Sequence, residues 1–431
     1  MALKAKPSRL LFLALGFPFI LLGASAVNGG TSSPAGAFVD FDLVSSNPAQ
    51  LVDPDAAEIV LEAKIANVGT ESDSYDIFKS AEMPSPWSAS FCFGGGCIDP
   101  AVDSLFGFLT VDPSSEETFS IHVAPNGAIG GGSIDLTARS VANPAVVRSA
   151  ELVAITYGTD VLLVDDEPGD YEHYYREALG DGLTVGIWPR CCVQPTFAEL
   201  IYFETVIWET GESQPALTLN DQSALSQFLG NGGHLFISGQ DIGWSMCDQA
   251  SPYSNQAACD FYRNYLHADY QANASDDWTL SGINGDAVSH GLTIGISGGD
   301  GADNQTSPDV VAAIAPARNV FMYDDDRAGA VRAETGPYKV VYFAFGFEAI
   351  NSQDMRRTVM DRILERFAYD GEKGDVDNNG SINVLDVLTA ANIILTIIDP
   401  TPEQRWRADF DNNGKINVID LIGMVNVILG G

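Results

Sequence analysis

Basic residues are scarce: 22 Lys and Arg stand against 58 Asp and Glu in 431 residues, a formal net charge of -36. A surface of that sign repels phosphate backbones and anionic bilayers, which excludes nucleic acid as a partner. Long apolar runs are also scarce. One, over residues 10–22, lies near the N-terminus and is shorter than the ~20 apolar residues a spanning helix needs. No later run is long enough to cross a bilayer. Residues 27–157 lack a sustained helical period. No histidine stands close in sequence to Cys191, Cys192 or Cys247, which leaves a catalytic thiol at any of them without a base.

What is present begins with Lys4, Lys6 and Arg9 ahead of the apolar run, which ends in Ala24-Ser25-Ala26. A basic start, a short apolar stretch and a small-residue exit read as a signal peptide over residues 1–26, with the mature chain starting near Val27 and working outside the cytoplasm. In that compartment the six cysteines are free to form disulfides. Cys92 pairing with Cys97 and Cys247 with Cys259 are the expected bridges. The adjacent Cys191 and Cys192 pair with each other or with distant partners, which spacing leaves open. A mature chain of this length implies two or three domains.

Residues 27–157 alternate apolar and polar positions in short runs, as in Glu58-Ile-Val-Leu-Glu-Ala-Lys-Ile-Ala and Thr118-Phe-Ser-Ile-His-Val, broken by Pro, Gly, Ser and Asn. That predicts a β-sandwich. Trp87-Ser-Ala-Ser-Phe-Cys and the Pro-Ser-Ser-Glu-Glu turn after it resemble immunoglobulin-like modules of secreted bacterial proteins. Trp87 is expected as a core or edge aromatic rather than a sugar platform.

From Asp160 the pattern changes. Strand and helix alternate over 161–164, 171–179, 183–188, 197–202, 205–209, 220–229 and 234–238, return to strand at 320–323 and 339–345, and close with a helix over 353–367. This predicts an α/β, doubly wound sheet over residues 158–370. Asp165, Asp166, Glu167, Asp241 and Glu348 are then expected near the strands' carboxyl ends, where such sheets bind ligands. The long segment 271–309 reads as an irregular loop, the first place to seek a pocket. His234, at the head of a buried strand, reads as structural. The motifs Thr205-Val-Ile-Trp-Glu-Thr-Gly and Asn231-Gly-Gly-His-Leu-Phe-Ile-Ser-Gly-Gln-Asp-Ile-Gly look like class I glutamine amidotransferase-like domains and their trehalose-utilisation relatives. That family's Gly-x-Cys-x-Gly turn becomes Gly239-Gln-Asp-Ile-Gly243, with Asp241 at the cysteine position. Its Phe-His-Pro-Glu becomes Phe345-Gly-Phe-Glu348, with Gly346 at the histidine position. With thiol and base both replaced, amidotransferase chemistry is not expected.

The densest signal lies in residues 371–431. Asp375-Val-Asp-Asn-Asn-Gly-Ser-Ile-Asn-Val-Leu-Asp386 recurs 34 residues later as Asp409-Phe-Asp-Asn-Asn-Gly-Lys-Ile-Asn-Val-Ile-Asp420, and twelve of 21 aligned positions are identical. Calcium takes about six to eight oxygens, and a loop of this length supplies them from positions 1, 3, 5, 7, 9 and 12. The first loop offers Asp375, Asp377, Asn379, the Ser381 carbonyl, Asn383 and Asp386. The second offers Asp409, Asp411, Asn413, the Lys415 carbonyl, Asn417 and Asp420. Two calcium ions are therefore expected. Gly380 and Gly414 occupy the sharp turn, while Ile382 and Ile416 point inward.

A loop followed by one helix, given twice, resembles type I dockerins and predicts an all-α module. The resemblance implies calcium-dependent docking onto cohesin domains of extracellular scaffolds, in the setting of polysaccharide degradation. It assigns partner reading to loop positions 10 and 11, here Val384, Leu385, Val418 and Ile419. These are aliphatic where many members carry hydroxyl residues, and neither following helix holds a basic residue. Docking on the chain's own α/β domain is the alternative. Two functions follow from these readings: an extracellular or cell-surface protein that docks through this module and whose α/β domain binds a ligand, such as a carbohydrate, or serves as scaffold; or a secreted hydrolase using the strand-end carboxylates.

Overall fold

The computed structural model describes residues 38–190, 192–324 and 326–430; the expected signal peptide and Cys191 lie outside them. The chain is multidomain, with a largely β N-terminal and central region followed by a helical C-terminal segment. No helix among the described residues is long and apolar enough to cross a membrane.

The N-terminal strands are β1 (Phe41–Ser45), β2 (Ala49–Val52), β3 (Ile59–Asn67), β4 (Asp73–Glu82), β5 (Ser88–Phe93), β6 (Gly96–Cys97), β7 (Ser104–Val111), β8 (Glu116–Ala124), β9 (Gly131–Ser140) and β10 (Val147–Thr156). They form two sheets, ordered β1-β3-β8-β5-β6 and β2-β10-β9-β4-β7. Alternation decides which side chains go inside: Ile59, Leu61, Ala63 and Ile65 of β3 all face the shared core, with Trp87 and Phe91. Trp87 is buried and its Nε1 donates to the Ala128 carbonyl at 3.0 Å, as befits a core aromatic. The bridges Cys92–Cys97 and Cys247–Cys259 both form, so Cys247 is no free thiol.

Strand β10 serves two cores. Leu152 and Ala154 point into the N-terminal core, whereas Val153 and Ile155 point into the core of the central region, against Leu162 and Trp188. The two-residue period puts successive side chains on opposite faces, and burying each Val or Ile contributes roughly 1.5–3 kcal/mol. The two regions therefore share a strand rather than a loose linker.

In the central region β11 (Val161–Asp165), β12 (Val185–Pro189), β13 (Thr205–Gly211) and β14 (His234–Gly239) run parallel. Between them lie α1 (Glu172–Leu179), α2 (Phe197–Leu200) and α3 (Leu219–Gly230). Buried runs such as Val161–Val164 suit strands covered on both faces. After β14 come α4 (Ile242–Cys247), α5 (Gln256–Tyr265), β15 (Ala268–Ala272), β16 (Thr279–Gly282), β17 (Thr293–Gly295), β18 (Val310–Ala313), β19 (Arg318–Met322), β20 (Ala328–Glu334), β21 (Lys339–Phe343) and α6 (Gln353–Ala368). Only β21 rejoins the parallel set, beside β14; β20, β19, β16 and β17 continue the sheet antiparallel. The α/β, doubly wound sheet expected over residues 158–370 is not what forms: helix-strand alternation stops at β14, and β20, β19, β16 and β17 make the other half of the sheet antiparallel. Residues 271–309 are not one irregular loop either, since they hold β16 and β17. Helices α4 and α5 carry little local signature because they are short and Asp-, Asn- and Ser-rich sequence surrounds them.

The C-terminal segment holds α7 (Val384–Ile394), α8 (Pro402–Ala408) and α9 (Val418–Ile428). Helices α7 and α9 begin at the tenth position of their loops, Val384 and Val418. Asn383 and Asn417 cap them, each accepting from the backbone two residues on, while Asp386 and Asp420 accept from the cap backbone in return.

Candidate functional site

Register places the strand-end acids. Asp165 pairs with Glu209 and Glu209 with Ser238 across β11, β13 and β14. By parity these three side chains share the face of Leu163, Ile207 and Phe236, the face covered by α1 and α6. There the Tyr175 hydroxyl, 2.6 Å from Ser238 Oγ, donates to Glu348 Oε2 at 3.0 Å. Asn304 Nδ2 donates to Glu348 Oε1 at 2.8 Å. Glu209 is fully buried, and among the described residues neither of its carboxyl oxygens has a hydrogen-bond partner. A Cβ at Gly346, the histidine position of the resemblance, would collide with the Glu348 carboxyl, so no base fits there without moving it.

The other expected members diverge. Asp166 points to the opposite face, where it accepts from Trp208 Nε1 at 3.0 Å and lies 3.4 Å from Arg190. Glu167 accepts from the backbone of Gly169 and Tyr171. Asp241 occupies the tight turn between β14 and α4 at φ 62°, accepting from Ser307 Oγ at 2.9 Å. An aspartate tolerates that left-handed conformation better than most residues. Nearby Asp309 is fully buried and accepts from Trp244 N. Residues 300–307 seal this end: Ala302 N donates to the Glu348 carbonyl, and Gln240 Oε1 accepts from Thr306 N and Ser307 N. Among the described residues, no three of these acids gather at metal-ligand spacing. His234 is structural in its contacts, its Nδ1 accepting from Lys339 N and its ring lying 5.4 Å from Phe367.

Glu209, Tyr175 and Asp309 were not singled out from sequence. For Glu209 the signal was available, as the one acid within a wholly buried strand.

Burial pushes Asp166 and Glu167 up to about 7. It raises Glu348, and carries Glu209 and Asp309 well above the carboxylate range, where neighbouring acids add to the effect for Glu209. In the unfolded chain these groups ionise near pH 4. A raised acid stabilises the fold only below that pH, and the penalty grows as pH climbs toward the folded value. Thermal stability is therefore expected to fall from pH 5 to pH 8, by at most about 1.4 kcal/mol per group per pH unit. Glu209→Gln should flatten that fall in a melting series; a profile rising across the window, or one that the substitution leaves alone, contradicts this.

The C-terminal loops superpose in chemistry. Asp375 Oδ2 accepts from Gly380 N at 2.8 Å and Asp409 Oδ2 from Gly414 N at 3.0 Å. Asp386 accepts from Asp377 N and Asn383 N, and Asp420 from Asp411 N and Asn417 N. Asp375, Asp377 and Asp386 bring one oxygen each within 4.8 Å of one another, as do Asp409, Asp411 and Asp420. Crowding three carboxylates is unfavourable without a cation, so the donor set fits a hard divalent ion. Gly380 and Gly414 sit at φ 86° and 77°, which explains glycine at the turn. Ile382 and Ile416 pack against the small core of Val376, Phe410 and Met424.

Val384, Leu385, Val418 and Ile419 remain 69%, 55%, 59% and 57% exposed, and Leu388 and Ile422 extend the apolar face. The central region does not cover it.

Residues 373–429 match the dockerin type I domain family, whose members bind calcium. No curated protein matches the chain. Among solved structures, the N-terminal domain of PorA is similar at 12% identity and TM-score 0.22, over 28% of this chain and 98% of that one. An exo-beta-1,4-mannosidase from Opitutaceae bacterium strain TAV5 aligns at 11% identity and TM-score 0.32, over 47% of this chain and 35% of that one. A family 123 glycoside hydrolase from Clostridium perfringens aligns at 7% identity and TM-score 0.20, over 39% and 38%. Scores this low fix neither fold nor function.

Proposed function

We propose that this chain is an exported protein that attaches, through its dockerin type I domain and in the presence of calcium, to a cohesin-type β-sandwich domain of a larger extracellular assembly. The observation that carries this is the dockerin match over residues 373–429, coincident with two groups of three aspartates whose oxygens lie within 4.8 Å of one another. Each loop would hold one calcium through the carboxylates of Asp375, Asp377 and Asp386, or of Asp409, Asp411 and Asp420. Asn379, Asn383 and the Ser381 carbonyl complete the first set, and Asn413, Asn417 and the Lys415 carbonyl the second. Bound calcium supplies the charge that lets those oxygens share a small space, which fixes the starts of α7 and α9. The exposed aliphatic face at Val384, Leu385, Val418 and Ile419 is the contact surface; an apolar patch of that kind on two adjacent helices favours burial against a partner.

The remainder is the cargo, with boundaries near residues 157 and 370. Its N-terminal region is read as an immunoglobulin-like spacer. The parallel half of the central sheet is read as an amidotransferase-like scaffold or ligand-binding body rather than a catalyst. Supporting this, Gly346 leaves no base at the expected place and Glu348 is engaged by Tyr175 and Asn304.

The test is binding of the full mature chain to immobilised type I cohesin domains, with calcium and with chelator. Retention only with calcium, and loss when Val384, Leu385, Val418 and Ile419 all become Asp, is the expected outcome. A calcium-loaded chain that binds no cohesin in a broad panel would rule the docking reading out.

A further inference from the structure

We infer that the second calcium loop is also a staple onto the central region, so that calcium binding there orders residues 283–290 of that region; this rests on the calcium reading above. The two loops are nearly identical in sequence but not in surroundings. At the fourth position of the second loop, between ligand candidates Asp411 and Asn413, Asn412 Nδ2 donates to the Ala287 carbonyl at 3.2 Å. At its second position Phe410 meets the His290 ring edge to face, centroids 5.7 Å apart. At its first position the Asp409 carbonyl accepts from Lys373 Nζ at 3.0 Å. Lys373 is itself buried, its ammonium 4.8 Å from the Trp406 ring centroid. Three of the loop's first four residues are thus tied down from outside the loop.

The central partner is built to receive Phe410 and Asn412, whereas Lys373 holds Asp409 from within the dockerin domain. Asp286 holds the 283–290 turn by accepting from Val288 N and Ser289 N through one oxygen, and takes Arg332 Nε at 2.7 Å on the other. Arg332 Nη2 continues to Glu372 at 3.1 Å, just before the dockerin domain. Arg362 Nη1 donates to the carbonyls of Val288 and His290. The chain of contacts therefore leaves the second loop at Asn412, crosses Ala287, Asp286 and Arg332, and returns to the segment entering the domain at Glu372.

The first loop has a different neighbour. Asp375, Asn378, Gly380 and Ser381 line a cavity of about 400 Å³ whose far wall is Asn284, Gly285 and Arg318 of the central region. Space rather than direct hydrogen bonding separates it from the 283–290 turn. A ligand that binds only the ordered loop stabilises everything whose order depends on that loop, in proportion to its free concentration over its dissociation constant. Coupling through the second loop follows from this, with the first loop acting only within the dockerin domain. It also leaves the aliphatic face of α7 and α9 pointing outward while the opposite side of the domain is fixed.

The experiment is amide hydrogen exchange on the full mature chain, with calcium and with chelator, read at peptides covering 283–290, alongside calorimetric calcium titration and cohesin binding on the same samples. Calcium should slow exchange at 283–290 by about tenfold or more. Asn412→Gly, which keeps the left-handed backbone accessible and removes no ligand candidate, should leave calcium stoichiometry unchanged yet abolish most of that protection. Asp375→Ala should spare the protection more than Asp409→Ala does. Exchange at 283–290 that is the same with calcium and chelator overturns the staple, as does full protection in Asn412→Gly. Calcium-dependent protection without cohesin binding removes the docking reading alone and sustains the staple.

Discussion

Asp386→Ala combined with Asp420→Ala is expected to abolish calcium-dependent order in the dockerin domain. The domain's core is small, with Val376, Ala390, Ile393, Ala408, Phe410 and Met424 buried at its centre. A single apolar core in a unit of about this size rarely supplies more than about 3–5 kcal/mol, so a bound metal adds a large share of its stability. Each of the two aspartates does two jobs. It belongs to a three-carboxylate group, and it accepts two backbone N–H groups that hold the loop and the helix start together. Alanine removes a ligand candidate and leaves those donors unpaired. Changes in the outer shell of metal sites already weaken affinity about 10–100-fold, so losing the twelfth position in both loops should weaken calcium binding by more than about 100-fold. Calorimetry would report this, with a matching loss of calcium-induced helicity by circular dichroism. Wild-type affinity in the double variant would mean the ligands have been assigned to the wrong residues.

Arg332→Met should be the most damaging single change at the junction. Arg332 and Asp286 are 5% and 4% exposed at their side chains and lie 2.7 Å apart. Removing one partner of a buried pair leaves an uncompensated charge, which costs about 3–5 kcal/mol. Glu372 loses its nearest guanidinium in the same step. Urea unfolding of the full chain should show the central transition at lower denaturant, and the calcium-dependent part of stability should shrink with it. Asp324, paired with Arg327 at the surface, provides the contrast: Asp324→Ala should leave the unfolding midpoint close to that of the unchanged chain, as solvent-screened exposed pairs do. An equal effect of both substitutions would show that burial of the Arg332 pair carries no special weight.

Local sequence specifies the dockerin domain, the two disulfides and the alternating strands of the N-terminal region. The reason is range: a twelve-residue ligand loop, a bridge between Cys92 and Cys97, and a two-residue period are all written within a few neighbours. Tertiary structure decided the strand-end site. Whether Glu348 meets Tyr175 depends on β21 lying beside β14, strands separated by some hundred residues, and no local pattern encodes that order. Parity then divided Asp165 from Asp166, so two acids adjacent in sequence face opposite sides of the sheet. The same holds at the C-terminus. Two loops with nearly the same residues are equivalent when read along the chain, and differ only because the fold sets one in direct contact with the 283–290 turn and the other across a cavity from it.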